Sequence, residues 1–216
     1  VKFVDITFYR GFGKEIVTMS FVVDEVVSVA TLTWDNDPPE LRIDELASDL
    51  AVGVVEMENT LHLIVPTMYG DVTVSGDGVM TCRGKSIGSV QNAIHTAAMR
   101  VKSISPASGD FISASDSPLE LSHVTVLHVR GKMTENMGLE PLKVFNKLRQ
   151  TGTTKPKVVR GDDGVVFVTF LVREGFIMEV HANGVVGIAL TGKHLSKNDM
   201  WSHVHTSVRS AVADLA

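Results

Sequence analysis

This sequence has only one cysteine, no long apolar run and no excess of basic residues, and each of these features excludes a class of protein. The single cysteine, Cys82, rules out an internal disulfide and favours a reducing compartment. No apolar run approaches the ~20 residues that a membrane helix needs, and no secretory signal is visible. The formal net charge is −5, whereas a general nucleic-acid binder is usually basic. With 44% hydrophobic and 21% charged residues, the composition is that of an ordinary globular protein.

A stretch that occurs twice organises the chain. Residues 71–104 and 177–215 both predict a strand, a Gly-containing turn, a strand, the dipeptide Gly-Lys and an amphipathic helix. Gly84-Lys85 and Gly192-Lys193 are 108 positions apart (192 − 84), which is half of the 216 residues. A repeat at half the chain length indicates duplication into two similar halves.

Turn and helix signals support both copies. Asp77-Gly78 and Asn183-Gly184 are favoured where a tight turn needs positive φ, and β-favouring residues flank them. Helix start signals follow at Ser86 or Ser89, and at Ser196 with Asp199. Apolar residues at helical spacing predict two helices, over 89–103 and 198–214, that lie on a sheet. Their inward stripes are Val90, Ile94, Ala97, Ala98 and Val101, and Trp201, Val204, Val208, Ala211 and Leu215.

The other segments complete the two halves. Residues 1–24 predict a hairpin extension from two apolar runs, Phe3–Tyr9 and Ile16–Val23. The first half, 25–104, predicts the strand Val26–Thr33, the helix Pro39–Leu50, one or two strands within 51–65 and the loop Pro66–Gly70. A linker at 105–119, rich in Ser, Pro and Gly, precedes the second half, 120–216. That half predicts the strand Val124–Arg130, the helix Leu139–Leu148, the loop Gln150–Lys157 and the strand Val165–Val172.

This order predicts the fold class. Each half has a strand, a helix, at least three antiparallel strands and a second helix. Runs of strands flanked by helices predict an α+β fold, in which two pseudo-symmetric repeats form one antiparallel sheet with its helices on one face. The other face is predicted to stay open.

Motifs for small-molecule chemistry are weak. Gly187–Lys193 has the GxxxxGK spacing of a phosphate-binding loop, but His194 replaces the Ser or Thr that binds Mg²⁺, and the strands there look antiparallel. His203 and His205 do not share a helix face, so they do not suggest a metal site. Cys82 fits a small buried side chain better than a nucleophile. The sequence therefore predicts no catalytic residues, no metal site and no cofactor.

The order of elements resembles the conserved core of the TATA-box-binding protein (TBP) family over about residues 24–216. Glu25-Val26-Val27-Ser28 stands where the family's first strand begins, and Val129-Arg130 with Gly138-Leu139-Glu140 resembles the entry into the second short helix. Thr191-Gly192 matches the family's Thr-Gly pair. The resemblance implies a curved, saddle-shaped sheet with helices on its convex side. It also implies a non-enzymatic general transcription initiation factor, in the nucleus or at a viral or cytoplasmic site of transcription.

The positions that match the family's DNA-bending residues have changed. Family members wedge pairs of phenylalanines into the minor groove, one before each stirrup loop and one after. Those positions fall on Glu58, Ser75, Asp163 and Glu179, and the groove-reading Asn positions fall on Glu25 and Ser122. Carboxylates repel phosphates, and a side chain that unstacks bases must be apolar. The resemblance therefore implies a promoter-complex scaffold with weak or altered DNA binding and without phenylalanine intercalation.

The resemblance also assigns contact residues. The DNA contacts that it leaves are Thr31, Thr81, Arg83, Lys85, Thr125, Thr191 and Lys193. In the family, general transcription factors A and B grip the two stirrup loops, which correspond here to Pro66–Asp71 and Arg173–Phe176. The partner-binding residues expected there are Met68, Tyr69, Arg173, Glu174 and Phe176, with the apolar ones exposed.

Two other functions are compatible with the sequence. One is an accessory nucleic-acid-binding domain of the same fold in DNA repair or processing, for which a single repeat would suffice. The other is an α+β protein that binds a small molecule, which an apolar pocket between the sheet and its helices would favour.

Overall fold

The structure, a computed structural model, describes residues 3–10, 15–33, 40–104, 119–152, 154–161, 166–191, 210–211 and 214–215. Within them the chain forms three helices of eight or more residues: α1 (Ile43–Leu50), α2 (Ile87–Ile104) and α3 (Pro141–Thr151). The described strands are β1 (Phe3–Arg10), β2 (Glu15–Thr33), β3 (Gly53–Met57), β4 (Thr60–Thr67), β5 (Gly70–Ser75), β6 (Val79–Gly84), β7 (Glu120–Leu121), β8 (Thr125–Asn136), β9 (Lys157–Arg160), β10 (Val166–Arg173), β11 (Phe176–His181) and β12 (Val185–Thr191). All the strand pairs that the structure describes are antiparallel. The predicted α+β class is confirmed.

The chain divides into two compact units. The continuous unit is Val26–Leu127, and the split unit joins Val1–Glu25 to His128–Ala216. Strand β2 contributes to both, because its first part lies before Val26 and the rest after it.

The continuous unit has the strand order β3-β4-β5-β6-β2, and helices α1 and α2 contact its strands. Alternate strand residues point to the helices and are fully buried, as period-2 alternation requires. They include Leu63, Val65, Val72, Val74, Met80 and Leu32. The stripe predicted for α2, from Val90 to Val101, is also buried, which confirms that this helix lies on the sheet.

Local signals explain where these two helices begin. The hydroxyl of Ser86 accepts a hydrogen bond from the backbone N–H of Ser89 at 3.2 Å, so Ser86 caps α2 as predicted. Helix α1 begins at Ile43 and not at Pro39, because Leu41 still has strand-like pairing and donates its N–H to the carbonyl of Gly76 at 2.7 Å. Residues 34–39 lie outside the described part of the chain.

The split unit has the strand order β8-β12-β11-β10-β9, with β1 paired to β2. Helix α3 contacts β10 and β11 and buries Val144 and Leu148. It begins with Pro141, whose missing N–H costs nothing in the first helical turn. The side chains on the helix side of the strands are buried and include Val168, Phe170, Met178, Val180 and Ile188.

Several predictions of extent were wrong. Strand β1 pairs with β2, but the second strand of this hairpin does not end at residue 24: β2 runs without a break from Glu15 to Thr33. The segment Pro66–Gly70 is not a loop, because Pro66 pairs with Asp71 and Thr67 with Gly70, which leaves a two-residue turn at Met68-Tyr69. Strand β9 was not predicted.

Two predicted segments cannot be compared in full with the structure. Most of the second long helix, expected over 198–214, lies outside the described residues, as do residues 105–118 of the expected linker. The pseudo-symmetry of the two halves stays a prediction. Among the described helices, none is both long and apolar enough to cross a membrane.

Candidate nucleic-acid interface

The sheet face opposite the described helices α1 and α2 is called the helix-free face, and in the continuous unit its described strand residues carry little charge. In β2, β5 and β6, the residues that alternate with the buried ones carry hydroxyl or aliphatic side chains, and the charged ones among them are Asp71 and Arg83. Thr73 and Thr81 lie opposite each other, and the Thr73 hydroxyl donates to the Thr81 carbonyl at 3.3 Å. This face offers hydrogen-bonding hydroxyls and methyl groups but little charge.

Three of the expected DNA contacts lie together on this face. Thr31 pairs with Val79, Thr81 with Val29, and Arg83 with Val27, so Thr31, Thr81 and Arg83 point to the same side. The N–H of Thr31 donates to the hydroxyl of Ser122 at 2.8 Å, which places Ser122 beside the end of β2.

The other expected DNA contacts lie elsewhere. Lys85 is exposed just after β6, and Thr125 is half-buried at the start of β8. Thr191 is exposed at the end of β12 in the split unit, and Lys193 lies outside the described residues. The structure therefore places three of the seven predicted contacts, Thr31, Thr81 and Arg83, on one face of the continuous unit.

In the split unit, the helix-free face, which is the sheet face opposite the described helix α3, has a different character. Here Glu179 on β11 lies beside a guanidinium group and an imidazole ring: its Oε2 is 3.0 Å from Arg130 Nη2 and 3.6 Å from His181 Nε2. His181 in turn stacks on Phe167 of β10, with ring centroids 4.9 Å apart and planes 30° from parallel. We call Arg130, Glu179, His181 and Phe167 the Glu179 cluster.

Gly187 makes room for this cluster. It pairs with Glu179 in the register of β11 and β12. A Cβ at this position would lie 2.9 Å from Glu179 Oε2 and 3.3 Å from His181 Nε2. The absence of a side chain lets Glu179 lie flat across β12 and reach Arg130 on β8. Its side chain is consequently only 12% exposed, although it lies on the face without helices.

The residues that the structure places at the family's wedge positions differ from those expected from the sequence. In the continuous unit, the N–H of Gly78 donates to the carbonyl of Ser75 at 3.0 Å, and in the split unit Gly184 donates to His181 at 2.9 Å. The two turns are equivalent, so the counterpart of Ser75 is His181 and not Glu179. The sequence alone indicated Glu179 because the lengths of the two hairpins, which differ, were not known from it.

The residues on the preceding strands also differ from the expectation. Ser75 faces His62, and His181 faces Phe167. Two side chains that enter one base step must lie side by side on one face, which makes His62 and Phe167 the structural partners. Glu58 instead lies in the β3–β4 turn with φ of 51°, and Asp163 lies outside the described residues.

The two hairpin tips expected to bind partners are unlike each other. Met68, at the turn between β4 and β5, is 87% exposed, and Tyr69 beside it is exposed too. The guanidinium of Arg100 on α2 donates to the carbonyl of Pro66 at 2.8 Å and supports this hairpin from the helix side.

At the second tip the expectation for Phe176 was wrong. Phe176 is 1% exposed, because it pairs with Leu190 on the helix side of the sheet and belongs to the core. Glu174 is exposed in the two-residue turn, and Arg173 ends β10.

Cys82 is buried on the helix side of β6. Burial, and secondarily the charge of Asp71, raises the pKa of its thiol above the ordinary value of 9.0. This confirms the expected small buried side chain, and the thiol stays protonated near neutral pH. Within the part of the chain that the structure describes, no three His, Cys, Asp or Glu residues come together as a metal site.

Sequence reasoning missed His62, Phe167, His181 and Arg130. Alternation could have found two of them, since Phe167 alternates with the buried Val168 and Phe170, and His181 with the buried Met178 and Val180. The pairing of β10, β11 and β12 that brings them together depends on register, which the sequence does not show.

Comparison with known proteins gives one kind of match. No protein-family model matches the chain, and no curated protein sequence does. Among solved structures, the TBP of Methanococcus jannaschii is similar, with a TM-score of 0.56 at 15% sequence identity, over 90% of this chain and 98% of that one. At this identity the similarity shows the fold alone, and the resemblance seen in the sequence is confirmed at that level.

Proposed function

We propose that this chain is a divergent TBP-like transcription initiation factor that serves mainly as a scaffold in a promoter complex and contacts DNA weakly. The TBP-like fold suggests a DNA-binding, transcription-related function in general terms. The finer assignment depends on the residues at the first wedge position and on the exposed tip between β4 and β5.

The observation that carries the proposal is the polar pair Ser75 and His62 at the first wedge position. The Ser75 hydroxyl is hydrogen-bonded to Asp77 and lies 3.2 Å from the carbonyl of Val79. His62 Nε2 is 2.9 Å from the hydroxyl of Thr60. Side chains that unstack a base step must be apolar and must project, and neither residue does both. Without such wedges a sharp bend of the duplex, of order 1–6 kcal/mol in smooth elastic estimates, is not offset.

The role as a scaffold is supported by the exposed tip between β4 and β5. Met68 and Tyr69 are exposed next to each other at this turn, and both are residue types enriched at protein interfaces. Arg100 and the hydrogen bond from Thr67 Oγ1 to the Gly70 carbonyl, at 2.7 Å, hold this tip in one shape. A pre-organised tip loses less conformational freedom when a partner binds.

A double substitution tests the scaffold role. Met68→Ala with Tyr69→Ala should weaken binding to a factor-A-like protein at least tenfold, because interface anchors contribute more than about 1 kcal/mol each. The melting temperature should stay nearly unchanged, since surface substitutions usually change stability by less than about 0.5 kcal/mol. Calorimetric titration and thermal unfolding measure the two effects.

A matched control is available in the same unit. Met57 and Leu61 are also exposed apolar residues, so Met57→Ala with Leu61→Ala should leave partner binding unchanged. If the Met68 and Tyr69 variant loses several degrees of thermal stability and keeps its partner, the tip is structural and the proposal is wrong there.

A further inference from the structure

Each unit has a strand with an open edge. In the described part of the chain, β3 pairs with β4 alone, and β9 pairs with β10 alone. Each of these two strands therefore has an edge along which another strand can add to the sheet by backbone hydrogen bonds. Exposed aliphatic side chains lie beside both edges on the helix side of the sheet, Val54 and Leu61 at β3 and β4, and Val158 and Val166 at β9 and β10.

The segments that carry the two edges have opposite charges. Residues 40–58, which include α1 and β3, contain six acidic residues and one basic residue, a net charge of −5. Residues 140–160, which include α3 and β9, contain six basic residues and one acidic residue, a net charge of +5. We call residues 40–58 the acidic edge and residues 140–160 the basic edge. The two edges therefore offer complementary charge next to unpaired backbone and exposed aliphatic side chains.

Most of these charges are not neutralised within their own edge. Among the described residues, each edge has one internal ion pair: Arg42 with Glu45 at 3.3 Å, and Lys143 with Glu140 at 2.8 Å. Other exposed charges form no ion pair with any described residue, and they are Asp44, Asp49, Glu56 and Glu58 on the acidic edge and Lys147, Lys155, Lys157 and Arg160 on the basic edge. Like charges so close together repel one another, and a surface of opposite charge relieves that repulsion.

We propose that the acidic edge of one copy of this chain binds the basic edge of a second copy, with β3 and β9 as neighbouring strands. Contact between two acidic edges or two basic edges would place like charges opposite each other, which destabilises a strand pair. The contact is therefore head-to-tail, and such contacts give chains or rings of copies and not symmetric dimers. It needs neither DNA nor the tip at Met68, so it does not depend on the proposed role in initiation.

The two strands fit one antiparallel register. With Glu56 opposite Val158, residues 54–57 pair with residues 157–160. This register puts the helix sides of both sheets on the same side, because the helix-side residues of both strands have even numbers. Glu56 then lies diagonal to Arg160, a separation that long side chains span.

Sedimentation velocity of the full chain, over a range of protein and salt concentrations, tests the proposal. At low salt the mean mass should rise with protein concentration, and 1 M salt should lower it, because the screening length there is only about 3 Å. Glu56→Lys and Arg160→Glu should each weaken self-association at least about tenfold, because each places like charges together in the contact. An equimolar mixture of the two variants should associate again, because each variant keeps the edge that the other has lost.

Two control variants make the same changes of charge elsewhere. Glu120→Lys on β7 and Lys132→Glu on β8 are at exposed positions outside both edges. Both should associate like the unaltered chain. They distinguish a specific contact between edges from a general effect of net charge.

Disulfide trapping tests the register. The pairing places Val55 of one copy opposite Val159 of the other on the helix-free face. When a Val55→Cys chain is mixed with a Val159→Cys chain and oxidised, the mixed dimer should therefore form in excess over both dimers of one variant. An equal or smaller amount of mixed dimer would overturn the pairing of β3 with β9.

The sedimentation experiment has three outcomes that would overturn the proposal. One is an unaltered chain that stays monomeric at every concentration at low salt. Another is a mixture of folded Glu56→Lys and Arg160→Glu chains that does not associate although the unaltered chain does. The third is a loss of association in Glu120→Lys and Lys132→Glu as large as in the two edge variants.

Discussion

Glu179 and Arg130 form an ion pair across the full width of strand β12, with 3.0 Å between Oε2 and Nη2. Gly187, which pairs with Glu179, leaves room for the carboxylate to cross β12, because a Cβ there would lie 2.9 Å from Glu179 Oε2. Within the split unit it ties together two strands that share no backbone hydrogen bonds in the described register.

A double-mutant cycle should detect this pair. With Glu179→Gln, Arg130→Gln and the double variant, we expect a coupling free energy of about 0.5 to 1 kcal/mol, because Arg130 is half exposed and solvent screens the interaction. Urea unfolding at low salt measures it, and 1 M salt should reduce it. A coupling indistinguishable from zero at low salt would mean that the pair does not stabilise the fold.

Gly131→Ala should be strongly destabilising. Gly131 lies on β8, and a Cβ there would overlap the carbonyl oxygen of Val22 and the ring of Phe21 on β2. Since a backbone oxygen cannot move aside as a flexible side chain does, the cost should be about 3 kcal/mol or more. Gly53→Ala is the matched control, because no atom lies within 4 Å of its added Cβ. Equal stability of the two variants by chemical unfolding would refute the close approach.

The buried thiol predicts a pH dependence. Because the pKa of Cys82 is raised in the folded state, its contribution to stability is fully present below pH 9.0 and is lost as the pH rises through the folded value. Between pH 8 and 10 the unaltered chain should lose more unfolding free energy than Cys82→Ala, by up to about 1.4 kcal/mol per pH unit above the ordinary pKa. Identical pH profiles would contradict this.

The sequence predicted those features that depend on short segments. Asp77-Gly78 and Asn183-Gly184 marked both tight turns, and Ser86 with the stripe from Val90 marked α2, since each signal lies within a few residues. The predicted end of the hairpin at residue 24 was wrong, because β2 continues through Asp24 and Glu25. Before this charged pair the buried residues of β2 have odd numbers, as in Phe21 and Val23. After it they have even numbers, as in Val26 and Ser28, so the pair marks the point where the alternation shifts by one residue.

The candidate site could be predicted only in part. Alternation placed Thr31, Thr81 and Arg83 on one face because each strand alone determines it. To predict the Glu179 cluster, the registers of β8, β10, β11 and β12 must all be known. To assign the wedge positions, the lengths of the hairpins must be known as well. Likewise Phe176, beside a predicted turn, was expected to be exposed, but its pairing with Leu190 makes it core.

The central proposal is a TBP-like fold in which the polar pair Ser75 and His62 replaces the first DNA wedge. It is tested most directly by the binding and bending of an end-labelled TATA duplex, followed by fluorescence energy transfer. At physiological salt the isolated chain should bind with a Kd of about 10⁻⁶ to 10⁻⁴ M, the range of non-specific binding. It should show little preference over random duplex and should leave the end-to-end distance nearly unchanged, because Ser75 and His62 cannot unstack a base step. Nanomolar, TATA-selective binding with sharp bending would contradict the account.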